Sequence, residues 1–162
     1  MGLHNDIDAI AKELGDLSLV AGSVIVTAES CTGGWVAKTL TDIPGSSAWF
    51  DRGFVAYTNE AKQEMLGVQP ETLATHGAVS EQTTLEMAQG AIKQGRGTVT
   101  VAISGIAGPS GAMPGKPVGT VWFAWVQQGG IEKTCCKHFA GSRGEIRHQA
   151  AACALRGLIE VI

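Results

Sequence analysis

The sequence predicts an α/β fold: a single-domain layered sandwich, with helices packed on a mixed sheet. Three observations predict it. Short apolar runs rich in β-branched residues recur at Ser23–Ala28, Thr98–Ile103 and Val118–Val126, as buried strands do. Segments with apolar residues at helical spacing lie between them. The last two strand signals, Val118–Val126 and Ile131–Phe139, flank Gln128-Gly129-Gly130. That adds an antiparallel hairpin to the βα units.

The elements follow in order. Ile7, Ile10, Ala11, Leu14 and Leu17 mark a helix over Ile7–Leu19. The strand at Ser23–Ala28 runs through Glu29-Ser30-Cys31-Thr32-Gly33-Gly34 into a helix at Trp35–Leu40. Ser46–Tyr57 reads as strand in its latter part, at Phe54, Val55 and Ala56. Asn59–Leu66 reads as a helix with Asn59 as N-cap, Glu60 in the first turn and Gly67 as stop. Pro70–Leu73 begins a short helix, and Ser80 caps a longer one over Glu81–Lys93. A glycine turn, Ser104–Pro109, follows the strand at Thr98–Ile103. Arg143–Ile162 closes the chain as a helix, with Ile146, Ala150, Ala154, Leu158 and Val161 on one face.

Composition bounds the function. The chain has 162 residues and a mass of 16.8 kDa. Surface scaling then gives roughly 7,600 Å² exposed when folded and about 69% of the unfolded surface buried. A core can form without staples. Hydrophobic residues make up 44% and charged residues 17%, which argues against disorder. No apolar run approaches a membrane span. Met1–Lys12 does not read as a secretory signal. The net charge of −3 gives no attraction to nucleic acid or to an anionic membrane. Cys31, Cys135, Cys136 and Cys153 form no CxxC pair, so they read as reduced thiols of a cytoplasmic protein, and no metal site is expected.

Four segments could carry chemistry. At Glu29–Gly34 a hydroxyl sits where a buried strand meets a helix. Free helix N–H groups there could hold an oxyanion or a phosphate. GxSxG is absent, a plain N-cap explains the same residues, and Cys31 rivals Ser30 as nucleophile if His76, His138 or His148 arrives in space. The second segment holds Tyr57, the only tyrosine, and Lys62. A lysine acts as a base only when neutral, which requires burial or cationic neighbours; a solvated lysine is the plain alternative. The third, Ser104-Gly105-Ile106-Ala107-Gly108, suits an anion cradle or a ligand-free loop. It is neither a P-loop nor a dinucleotide fingerprint. The fourth holds Arg143 and Arg147, which could fork a phosphate or pair on the surface.

Taken together, residues 27–68 (TAESCTGGWVAKTLTDIPGSSAWFDRGFVAYTNEAKQEMLGV), 76–83 (HGAVSEQT), 103–111 (ISGIAGPSG) and 116–125 (KPVGTVWFAW) resemble the C-terminal domain of the CinA family. The resemblance spans nearly the whole chain and is closest to the single-domain nicotinamide-nucleotide amidases; 162 residues leave no room for the N-terminal molybdopterin-binding-like domain of longer members. It implies a cofactor-free hydrolase that converts nicotinamide mononucleotide and water to nicotinate mononucleotide and ammonia in pyridine nucleotide salvage. It implies Ser30 as nucleophile with Lys62 and Tyr57 as partners, and a homo-oligomer. Substrate contacts are expected from Cys31, Thr32, Gly33 and Gly34, from Ser46 and Ser47, from Ser104 to Gly108, and from Arg147. The pattern departs at Ser142, where many relatives carry an acidic residue. A nucleotide-binding regulatory module, or a Ser-Lys hydrolase of another amide, is the alternative.

Overall fold

The computed structural model describes residues 3–162. Met1 and Gly2, at the head of the segment read as no secretory signal, lie outside the described residues. Helix α1 spans Leu3–Ala21, strand β1 Ile25–Glu29 and helix α2 Trp35–Thr41. A short 3-10 turn at Ser46–Ala48 leads into β2, Phe50–Val55. Helices α3 (Asn59–Leu66), α4 (Pro70–His76) and α5 (Glu81–Gln94) follow. Strands β3 (Val99–Gly105), β4 (Thr120–Gln127) and β5 (Glu132–His138) precede α6, Arg143–Val161.

The strands form one mixed sheet in the order β2-β1-β3-β4-β5. β1 is parallel to both β2 and β3, and β3-β4-β5 is antiparallel. The expected α/β architecture and the hairpin are therefore present. The period of two along each strand splits the core into two layers. Ile25, Val99, Val101 and Ile103 pack with α1, α2 and α6. Val26, Ala28 and Ala102 pack with α3 and α5. The chain leaves β1 through α2 towards β2, then returns through α3, α4 and α5 to β3 on the other side. The carboxyl end of β1 is thus a topological switch point, where open α/β sheets leave a crevice.

Several boundaries differ from the expectation. The N-cap of α3 is Thr58, whose Oγ1 accepts from Ala61 N at 3.1 Å; Asn59 already has helical backbone. The strand expected at Phe54–Ala56 begins earlier and stops at Val55. Ser104 and Gly105, expected in a turn, continue β3 because they pair with Trp122 and Val121 of β4. The serine at position 142 builds a full capping box for α6 with Glu145. No helix among the described residues is long and apolar enough to cross a membrane.

Helix α3 is pressed onto α5 at Gly90, where an added Cβ would stand 1.8 Å from Leu66 O. Gly90→Ala is expected to lower the melting temperature by several degrees. Overpacking of about 1–3 kcal/mol exceeds the propensity gain of about 1 kcal/mol, at about 2–4 °C per kcal/mol. Gly144, with open space around its Cβ position, is the control: Gly144→Ala should leave the transition unchanged or raise it.

Candidate active site

Alternation at the end of β1 sends consecutive side chains to opposite faces of the sheet. Glu29 enters the layer of α1, α2 and α6, and Ser30 enters the layer of α3 and α5. Glu29 is wholly buried. Its Oε1 accepts from Thr32 Oγ1 at 2.7 Å and from Val36 N at 2.9 Å, and its Oε2 accepts from Ala37 N at 3.0 Å. The first amides of α2 are therefore filled by this carboxylate, aided by the helix dipole. They are not free for an oxyanion or a phosphate, as the sequence had suggested.

On the other face, Lys62 of α3 is only 1% exposed. Its Nζ lies 3.0 Å from Ser30 Oγ, 3.2 Å from Ala56 O and 3.1 Å from Tyr57 O. No carboxylate among the described residues touches it. Burial holds the amine below the ordinary lysine value, against an opposing contribution from Cys31. An ammonium would give its three protons to these three oxygens. A neutral amine gives two to the carbonyls and aims its lone pair at the Ser30 hydroxyl. The site is thus built so that Lys62 can accept the Ser30 proton.

Cys31 is a poor rival. Burial, first, and the Glu29 charge push its thiol up to about 11, leaving about one thiolate in 10⁴ at pH 7. Among the described residues, no histidine lines the cavity it shares with Ser30.

That cavity measures about 270 Å³ and includes Ser30, Tyr57, Lys62, Ala78, Ser104 and Arg143 on its wall. Tyr57 is 56% exposed, and its backbone carbonyl, not its phenol, meets Lys62. The phenol oxygen accepts from Arg143 Nη2 at 3.1 Å, and Arg143 Nη1 donates to Gly108 O at 2.8 Å. Ser104, Gly105 and Ala107 line the same cavity; Ser104 Oγ donates to Ala78 O at 2.7 Å. Ile106 and Gly108 do not line it.

The other expected substrate contacts lie elsewhere. Ser46 and Ser47 precede β2, beside the Ile25 end of β1, because the strands run parallel. That is the end of the sheet opposite Ser30. Thr32, Gly33, Gly34 and Arg147 line a separate cavity of about 420 Å³ with Trp35 and Lys38. Arg143, which the sequence groups with Arg147 as able to fork a phosphate, lies on the wall of the Ser30 cavity instead. The signal was its place in the same capped helix start as Arg147, but one turn of α6 separates their targets.

A family model described as the CinA C-terminal domain matches residues 7–162. Nicotinamide-nucleotide amidohydrolase PncC of Escherichia coli (strain K12) is 53% identical over 154 residues, covering 95% of this chain and 93% of that protein. The Pseudomonas putida protein of the same name is 41% identical, covering 96% of each. The crystal structure of competence/damage inducible protein CihA from Agrobacterium tumefaciens superposes with a TM-score of 0.93 at 46% identity, covering 96% of this chain and 95% of that one.

The depressed Lys62 value has a stability consequence. Between its folded value and the ordinary value near 10.4 the unfolded chain binds a proton that the folded chain does not, so stability rises with pH across that window. Lys62→Met removes this contribution. The melting temperature of the variant minus that of the wild type should therefore fall as the pH is raised from 7 to 10 in a thermal-denaturation series.

Proposed function

This chain belongs to the CinA C-terminal domain family, and we propose that it is a nicotinamide-nucleotide amidohydrolase working through a Ser30–Lys62 pair. The observation that carries this reading is the buried, carboxylate-free amine 3.0 Å from Ser30 Oγ. The names of the relatives support the substrate.

An amide is a poor electrophile, so two easier steps replace one hard one. Lys62 Nζ takes the Ser30 proton as Oγ bonds to the amide carbon. The tetrahedral oxyanion is held by the Cys31 and Thr32 amides at the turn. Its collapse breaks the carbon–nitrogen bond, and ammonia leaves with the proton held by Lys62. Water then adds to the acyl-serine ester, giving its proton to Lys62, which returns it to Oγ as the acid departs. The sum is amide plus water to acid plus ammonia. Tyr57, with its oxygen already accepting from Arg143, keeps its own O–H for the substrate side of the cavity and assists the leaving amine. In the same reading the enzyme is a cytoplasmic homo-oligomer of pyridine nucleotide salvage.

The phosphate must be met inside the Ser30 cavity. Among the described residues Arg143 is the cation there besides Lys62, and it has donors left beyond its two bonds. It is the proposed phosphate partner.

Ammonia release from nicotinamide mononucleotide tests the reading. Ser30→Ala should abolish turnover, and Lys62→Met should lose about 10²–10⁴-fold at neutral pH. A near-normal rate in Ser30→Ala would sink the serine mechanism and hand attack to Cys31 or water. In the wild type kcat/KM should fall as the pH drops and Lys62 gains a proton.

Arg143→Ala should raise KM for the mononucleotide about tenfold, an effect of about 1.4 kcal/mol, and leave KM for the riboside nearly unchanged. Equal losses on both substrates would refute the phosphate role.

A further inference from the structure

Arg147 was expected to touch substrate, yet its guanidinium is turned to the protein. Its Nε donates to Cys31 O at 2.9 Å and its Nη2 to Thr32 O at 3.1 Å. The guanidinium carbon stands 5.4 Å from the Trp35 ring centre, a cation–π contact that lodges it in place. These two carbonyls belong to consecutive peptides of the turn that follows Ser30.

A trans peptide points its N–H opposite to its C=O. Fixing Cys31 O therefore fixes the Thr32 N–H, directed away from Arg147. Fixing Thr32 O fixes the Gly33 N–H, which donates to Ser30 O at 3.0 Å. That bond in turn sets the peptide carrying the Cys31 N–H. Arg147 thus holds the peptide that carries the Thr32 N–H, and together with the Trp35 N–H, which donates to Thr32 O at 3.1 Å, it sets the peptides leading back to the Cys31 N–H. Thr32 N–H donates to no acceptor among the described residues, and a charged donor on the carbonyl makes such an N–H a stronger donor. The left-handed backbone at Gly33 (φ 59°) and Gly34 (φ 93°) lets the turn follow this path, and a Cβ on Gly33 would press Arg147 Nη2 at 3.3 Å.

We infer that Arg147 is a positioning residue that aims and polarises the oxyanion-binding amides of Cys31 and Thr32, and that it is not the phosphate ligand. This rests on the Ser30 amidohydrolase reading. It acts from the neighbouring cavity, through the backbone, without touching substrate.

The test measures kcat and KM for nicotinamide mononucleotide and for p-nitrophenyl acetate, an ester without phosphate, in the wild type, Arg147→Ala and Arg147→Lys. In Arg147→Ala kcat is expected to fall about tenfold or more on both substrates, with KM within about twofold. Added guanidinium should restore part of kcat in Arg147→Ala. Arg147→Lys keeps the charge without the fork, so it should also lose kcat. A rise in KM confined to the mononucleotide, with kcat kept, would overturn the inference and make Arg147 a phosphate ligand. Unchanged kinetics in both variants would overturn it as well. Should Arg147→Ala not fold, the same split in Arg147→Lys decides. A wild type active on the ester alone refutes the substrate reading and leaves Arg147 judged on the ester. One inactive on both refutes both.

Discussion

The site depends on keeping one amine dry. Lys62 is almost wholly buried, and among the described residues no anion compensates it. Burial without a counter-charge favours the neutral form, and only the neutral form has a lone pair. Two backbone carbonyls, Ala56 O and Tyr57 O, take the amine's protons and leave the third direction to Ser30. Those carbonyls belong to the segment between β2 and α3, and the Thr58 cap fixes where the helix starts. The close approach of α3 to α5 at Gly90 holds the same helix against the sheet. Much of the layer under the sheet therefore serves to place one nitrogen.

Ser30 is placed from the opposite layer. Glu29 spends its carboxylate on the amides of α2 and on Thr32, and Arg147 of α6 grips the turn carbonyls. The turn is clamped by a buried anion on one side and a forked cation on the other. Such double support holds Ser30 Oγ and the turn amides in a fixed relation, which is what the proposed mechanism requires of a preorganised site. It also divides the surface. The cavity of Ser30, Lys62 and Arg143 lies on one side of the turn, and that of Gly33, Gly34 and Arg147 lies on the other.

The arginines show why residue types alone could not assign the contacts. Arg143 and Arg147 lie four apart on the helix that Ser142 caps, so they share roughly one face. One turn of helix still separates their reach. Arg143 meets Tyr57 and Gly108, while Arg147 meets Cys31 and Thr32. Ser46 and Ser47 lie apart from Ser30 for a related reason. They are near Ser30 in motif order, but a parallel strand carries them to the far end of the sheet. Cys31 was undecided in the sequence because its reactivity is set by burial, which neighbouring residue types do not report.

What the sequence determined by itself is the set of elements, the hairpin, the junction carrying Ser30 and the presence of Lys62 five residues after Tyr57. These follow from local periodicity, turn chemistry and motif spacing, which act over a few residues. Tertiary structure alone decided which face each β1 side chain enters, that Lys62 is buried with no carboxylate beside it, and which arginine reaches which cavity. Those outcomes depend on strand order and layer packing, where groups distant in the chain set each other's solvent and partners.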